Sequence, residues 1–431
     1  MINTRRVSGR YRSALRHRDL RLLTAAFLID QIGTWSYLVV IGVYIFDRTH
    51  STQWLAALGV CRWGPTLLLS SYGGVLADRF QRVTVLIVSS LASGALMTGI
   101  AFVVAVNAPV ALILVLSALS AVVIAPYRPA AGALTPEIVA ERDLAAANSI
   151  FSALENLVVV IGPGIGGLLL LTGRPVVGVA INAASFAAAA ALTGRLRVRS
   201  RGRGEEAGNP FQQWAAGLTA IASRRGTLAV ILFAALDSAI YGASTVILVP
   251  LSVRLGTGAD GYSYLLAGGA LGGVLGAVMA DRLSRSARLT PVLLGSLCLQ
   301  ALPFLATVGV HSPVLACALQ VVSGVGMINV DVLAMSALQR DLPSDVLSRV
   351  LGVFESAILL GILLASLGAG ALLAHTGIDV ALIAIGAGIP ALALAGVPAL
   401  LRGDRVSAAT RPHLPIGRSL PAAEPVPDAV D

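Results

Sequence analysis

Twelve apolar runs, most of them separated by only a few residues, constrain what this chain can fold into. They lie at 22–46, 53–77, 84–106, 109–133, 145–171, 174–194, 226–251, 261–280, 290–310, 313–338, 347–374 and 377–401. Each is about as long as a helix must be to cross a hydrocarbon core of roughly 30 Å at about 1.5 Å per residue. No water is available there to satisfy a free backbone, so each run must close its own hydrogen bonds as a helix. The expected fold class is an all-α membrane protein of twelve transmembrane helices. Composition agrees: 56% of residues are hydrophobic and 12% charged, against about 25% charged in soluble domains.

The net charge of +9 does not mark a nucleic-acid surface. Every basic residue is arginine, and most arginines sit in the gaps 1–21, 78–83, 134–144, 195–225, 281–289, 339–346 and 402–431. The alternate gaps hold Arg48, Arg174 and Arg254. That asymmetry is the positive-inside pattern. It predicts both termini on the cytoplasmic side of the cell membrane, with lipids rather than nucleic acid as the partner of the basic segments. Residues 1–21 read as a basic arm held to anionic headgroups. Residues 195–225 read as a cytoplasmic linker in which Asn209-Pro210 starts an amphipathic helix with Phe211, Trp214, Leu218 and Ile221 on one face. The Pro- and Ala-rich segment 402–431 reads as a disordered tail.

Several chemistries are excluded. A chain without lysine has no phosphate-binding P-loop lysine and no Schiff base. Cys61, Cys298 and Cys317 lie singly in apolar runs, and the five histidines show no ligand spacing. Neither a metal site nor an enzyme is expected, and no cofactor beyond a proton gradient as energy source.

The chain also repeats itself. Gly73-Gly74-Val75-Leu76-Ala77-Asp78-Arg79-Phe80-Gln81-Arg82 returns as Gly276-Ala277-Val278-Met279-Ala280-Asp281-Arg282-Leu283-Ser284-Arg285. Glycine, acid and both arginines recur 203 positions on (73 to 276, 78 to 281, 79 to 282, 82 to 285). Two six-span bundles, 22–194 and 226–401, follow from this, in the two-repeat plan of transporters. Each copy lies between the second and third span of its half. Paired with acids nearby, Glu137 for Arg79 or Arg82 and Asp345 for Arg282 or Arg285, the arginines are expected to latch the cytoplasmic side.

These features resemble the major facilitator superfamily over roughly residues 15–405. Gly73 or Gly74, Asp78, Arg79 and Arg82 match its loop signature, with Gln81 where the family has a second glycine. Gly162-Pro163-Gly164-Ile165-Gly166-Gly167 is similar to the helix-5 signature of its drug/proton antiporters. Tyr127-Arg128-Pro129-Ala130 through Pro136, then Ala147-Asn148 and Gly162-Pro163, is similar to the bacterial subgroup of enterobactin-type siderophore exporters and macrolide efflux proteins. The resemblance implies a monomeric secondary transporter that expels a small amphiphilic solute, such as a drug or siderophore, against protons. Import or uniport of a metabolite, lipid translocation and sensing on the same fold are the alternatives. It also implies that spans 1, 4, 7 and 10 line a central cavity, and that Gly162, Pro163, Gly166 and Gly167 seal it.

Charges inside spans are costly and tend to be functional. Spans 1, 4, 7 and 10 carry Asp30, Arg128, Asp237 and Asp331, one each. Arg62, Glu155 and Glu355 lie in spans 2, 5 and 11. A carboxyl near the midplane can take up and release a proton near neutral pH. Asp237 and Glu155 are therefore the first candidates for proton coupling, followed by Asp30 and Glu355. Arg128, read as close to the end of its span, is expected to pair with Asp30 or Asp331. Three acids against one arginine on the cavity spans favour a cationic or neutral solute, with Trp35, Tyr37, Tyr127 and Tyr241 beside it.

Overall fold

The computed structural model describes residues 12–198, 225–258, 261–283, 289–342 and 344–395, and positions 215, 218, 219 and 221. Twelve long helices occupy them: α1 (Arg18–Thr49), α2 (Thr52–Arg79), α3 (Arg82–Ala105), α4 (Val110–Ile138), α5 (Glu141–Leu170), α6 (Pro175–Thr193), α7 (Arg225–Arg254), α8 (Gly261–Leu283), α9 (Leu289–Ala306), α10 (Pro313–Asp341), α11 (Ser344–Thr376) and α12 (Ile378–Ala395). Eleven have the length and apolarity of a membrane span; α2, with Arg62 and Pro65 in its middle, is the twelfth helix and falls outside that set. Outward-facing side chains such as Leu68 and Val314 are apolar and exposed, as a surface solvated by lipid rather than water requires.

Successive helices run in opposite directions, so their ends define two faces. The near face is where α1 begins. Each of the six turns on the far face contains a left-handed residue: His50, Asn107, Gly173, Gly256 with Gly258, Gly309 and Gly377. These turns are tight, and glycine takes a positive φ at no steric cost. Arginine clamps brace two of them at matching places in the halves. Arg48 donates to the side chain of Asn107 at 2.6 Å and to its carbonyl at 3.2 Å. Arg254 donates to the Thr307 carbonyl at 3.1 Å and pairs with Asp379.

Within the halves, α1 packs on α5 and α6, α3 on α6, α7 on α11, and α8 on α10. Small residues permit the closest approaches, as they do between helices in lipid generally. A Cβ at Gly272 of α8 would lie 1.9 Å from the Val321 carbonyl oxygen of α10, and one at Gly324 of α10 would lie 2.0 Å from the Gly269 carbonyl oxygen. The π-helical segment Ala384–Gly388 of α12 likewise sets Gly386 against the backbone of Leu305 in α9.

The halves touch through α2 with α11 and α5 with α8. The named contacts lie toward the far face. Gly59 meets Ser366, Gly370 meets Ala56, and Gly167 meets Ser263. Toward the near face, the amino-terminal half has a hydrophobic core of its own, including Leu20, Leu23, Leu86, Leu134 and Ala147, with no residue from the other half. Among the described residues, the close contacts between the halves thus lie toward the far face.

Several sequence expectations change. Span 4 does not end at 133: after an interruption at Pro126, Tyr127–Ile138 continues it, and α5 starts at Glu141. The polar composition of 127–138 made a helical end read as a loop. Glu137 therefore belongs to the last turn of α4, and Asp345 to the first turn of α11 rather than to the loop after α10. The expected interfacial helix of 195–225 falls largely outside the described residues. So do most of the basic arm, the tail 402–431 and the last part of the span read at 377–401.

Candidate functional site

A cavity with about 1240 Å³ of non-atom space, open solvent at its mouth included, lies between the halves. Its walls come from α1, α2 and α5 on one side and α7, α8, α9 and α10 on the other. Trp35 of α1 and Tyr241 of α7 meet edge to face across it, with ring centroids 6.2 Å apart. Trp63, Tyr262, Phe304 and Leu248 add aromatic and aliphatic surface, and Gln300, Gln320 and Ser323 add polar groups. Arg62 is the one charged side chain among the described lining residues.

The sequence placed Tyr37 and Tyr127 here as well, and the structure does not. The Tyr37 hydroxyl lies 3.0 Å from the Ser117 hydroxyl and joins α1 to α4. Tyr127 is buried in the near-face core of its own half. None of the four charges that spans 1, 4, 7 and 10 carry borders this cavity. Asp30 of α1 and Asp237 of α7 are instead buried, and each leaves Oδ1 without a partner. Gln31 donates to the other oxygen of Asp30 at 3.2 Å.

The arginine expected to pair with Asp30 or Asp331 pairs elsewhere. Arg128 Nη2 lies 2.8 Å from Glu155 Oε1, with side chains 69% and 37% exposed. The extension of α4 explains the change: Arg128 sits ten residues from the helix end (128 to 138) rather than at a membrane boundary. Glu355 of the opposite half is within electrostatic reach of both Arg128 and Glu155. Asp331 is in reach of Glu355, and Asp237 of Asp331. Charged groups thus run from the interior of the carboxy-terminal half to an exposed pair on the amino-terminal half. Asp30 stands apart from them, in reach of Arg62.

The helix-5 glycines face two ways. A Cβ at Gly162 would meet Trp35 Cβ at 2.4 Å, and one at Gly166 the Ser36 carbonyl oxygen at 2.6 Å, so both glycines bring α5 against α1. Gly167 faces the other half, its added Cβ 2.6 Å from Ser263 Cβ. Gly164 has open space around it, and Pro163 lines the cavity. Only Gly167 of the four glycines thus lies where the halves meet. Gly167→Val is expected to part α5 from α8 at the far face. Thiol labelling of a single cysteine placed at position 265 should then accelerate about tenfold from the far side, and an unchanged rate would show that this contact seals nothing.

At the near face, Arg82 pairs with Glu137 and also donates to the Ala133 carbonyl at 3.0 Å. Both partners belong to the amino-terminal half, so this pair fastens α3 to α4 rather than one half to the other. Gly73 and Gly74 lie in the last turns of α2, and Gly276 in α8 approaches Val325 of α10. The side chains of Asp78, Arg79, Asp281, Arg282 and Asp345, and all of Arg285, lie outside the described residues. Sequence reasoning missed Gln300 and Gln320 as cavity residues. Their signal was available: an amide in an otherwise apolar span has to be satisfied by something.

Comparison with known proteins agrees with this architecture. The family model for the Major Facilitator Superfamily matches residues 23–366. The staphyloferrin A transporter of Staphylococcus aureus (strain NCTC 8325 / PS 47) is 26% identical over 150 residues, 34% of this chain and 37% of the relative. The enterobactin exporter EntS of Shigella boydii serotype 4 (strain Sb227) is 33% identical over 179 residues, 41% of this chain and 42% of the relative. The matched segments thus span about two fifths of each curated relative. Among solved structures, the nucleoside transporter NupG superposes with a TM-score of 0.70 at 13% identity, covering 89% of this chain and 99% of that one. A bacterial homolog of the human lysosomal transporter Spinster, inward-facing and occupied, gives 0.66 at 15% identity, covering 93% and 97%. Fold, helix count and family model converge: the chain belongs to the major facilitator superfamily.

Proposed function

We propose that the protein is a proton-coupled exporter of a small amphiphilic molecule, of drug or siderophore type, working by alternating access in the plasma membrane. The near face is then cytoplasmic, as the arginine distribution implies, and the conformation described is the inward-open one. The observation that carries this reading is the run of charged side chains from buried Asp237 through Asp331 and Glu355 to the exposed Arg128–Glu155 pair, below a cavity closed at the far face. A proton moving along those groups changes the charge at the place where the halves must meet to close the near face. That is how a gradient can bias one facing state over the other. The limited similarity to an enterobactin exporter supports the outward direction.

Efflux of dyes, macrolides and catecholate siderophores from proteoliposomes, with and without a proton gradient, tests the reading. At least one solute should move uphill only while the gradient stands. Uphill flux that persists after the gradient is collapsed would rule out antiport.

A further inference from the structure

The cavity holds polar atoms that the protein itself leaves unsatisfied. Gln320 is 4% exposed and its Nε2 has no acceptor; Gln300 is 2% exposed and its Oε1 has no donor. Nε of Arg62 is also buried without a partner. Among the described residues the Arg62 side chain makes no hydrogen bond or ion pair; Asp30, Tyr37 and Tyr241 are only within electrostatic reach. Its guanidinium stands 5.4 Å from the centre of the Trp63 ring. An arginine inside an apolar helix bundle without a bonded counter-ion is costly, and such residues mark ligand or ion sites by default. Buried amides without partners carry a similar cost. All three side chains border the same space.

The arrangement reverses the sequence expectation of a cationic or neutral solute. That expectation counted acids on spans 1, 7 and 10, but none of those acids borders the cavity, and the charged side chain among its described lining residues is Arg62. We infer that the cavity is an anion site: it takes an amphiphilic organic carboxylate. The carboxylate is held by Arg62 and Gln320, and the apolar or aromatic body lies against Trp35, Trp63 and Tyr241. Arginine suits the task because its planar fork matches a carboxylate and stacks on an aromatic face. Gln300, an unsatisfied acceptor on the same wall, offers a place for a hydroxyl or amide donor on the solute. The inference rests on the transporter reading above, since it names the class of solute that the cavity would carry.

Two of the chain's four tryptophans line the cavity, so occupancy can be read by tryptophan quenching of the full chain in phosphatidylcholine nanodiscs. The probes are 2-naphthoate, its neutral amide 2-naphthamide, and the cation 2-naphthylmethylammonium. Naphthoate should quench saturably and bind more tightly than either analogue. Arg62→Gln should weaken naphthoate by about tenfold or more, the usual scale for a lost hydrogen bond to a charged group, and leave naphthamide within about twofold. Arg62→Lys, which keeps the charge, should recover part of the loss. Gln320→Leu gives a second, milder test, a weakening of about threefold. The proposal is overturned if naphthoate shows no saturable quench, if the cation binds as tightly, or if Arg62→Gln and Gln320→Leu both leave naphthoate affinity unchanged. It is also overturned if phosphatidylglycerol in the nanodisc competes naphthoate away while leaving naphthamide bound, which would assign the site to a lipid headgroup. Arg62-dependent binding without flux of any solute would uphold the anion site and refute the transporter reading; uphill flux with Arg62-independent binding would do the reverse.

Discussion

Replacing Gly272 by valine is expected to lower the melting temperature of the solubilised protein by several degrees and to cut the yield of folded material severely. The Cβ alone would stand 1.9 Å from the Val321 carbonyl oxygen, 2.8 Å from its carbon and 3.0 Å from the Val325 nitrogen. All three are backbone atoms in the middle of α10, so no side chain can turn aside. The helices must separate, and with them the neighbouring contacts of Gly276 on Val325 and Gly324 on Gly269. Overpacking a well-fitted site costs about 1–3 kcal/mol, and occasionally more. Here three glycine contacts share one seam, so a loss at or above the upper end is expected. In lipid no hydrophobic drive pushes the helices back together, because the tails are as apolar as the side chains. Gly295→Val in α9 is the control: nothing lies within 4 Å of its added Cβ. Thermal melting followed by size-exclusion chromatography separates the two. Equal melting temperatures for Gly272→Val and Gly295→Val would mean that α8 and α10 are not held at this distance.

How much of this was readable in advance follows from the kind of information each feature carries. The spans were legible because apolar length is a property of the sequence alone, and the halves because the motif repeats. Helix ends were less legible where a span finishes in polar residues, as at Tyr127–Ile138, and that error misplaced Arg128. The rotation of each helix about its axis was not legible at all. Whether Tyr37 faces a cavity or Ser117 is set by how closely glycine seams elsewhere let the helices approach, and those seams are tertiary facts. The expectation of a cationic or neutral solute carried that gap: it counted the charges on each helix without knowing which way they point.

Asp237→Asn is expected to abolish gradient-driven uphill efflux, a loss of about tenfold or more, while leaving solute binding within about twofold. The second half of the expectation follows from position: Asp237 is buried off the cavity wall, and Gln300 of that wall donates to its backbone carbonyl at 3.4 Å, an atom that asparagine leaves in place. The first half follows from its neighbours. Asp30, its counterpart, is in reach of Arg62; Asp237 has another carboxylate, Asp331, in reach. Two carboxylates close together away from water repel when both are charged, and one shared proton removes the repulsion. Asparagine keeps the shape and takes away the group that can bind and release that proton. The carrier should then still exchange solute across the membrane at equal concentrations but no longer use a gradient to move it uphill. Measuring exchange and uphill efflux on the same proteoliposomes distinguishes the two. Loss of both would mark Asp237 as structural, and retention of both would move the coupling role to Glu155 or Glu355. Asp30→Asn, beside a cation that its charge partly balances, should instead alter binding at the Arg62 wall as well as coupling. A mutation that separates coupling from binding is therefore expected in the carboxy-terminal half and not at the equivalent place in the amino-terminal one.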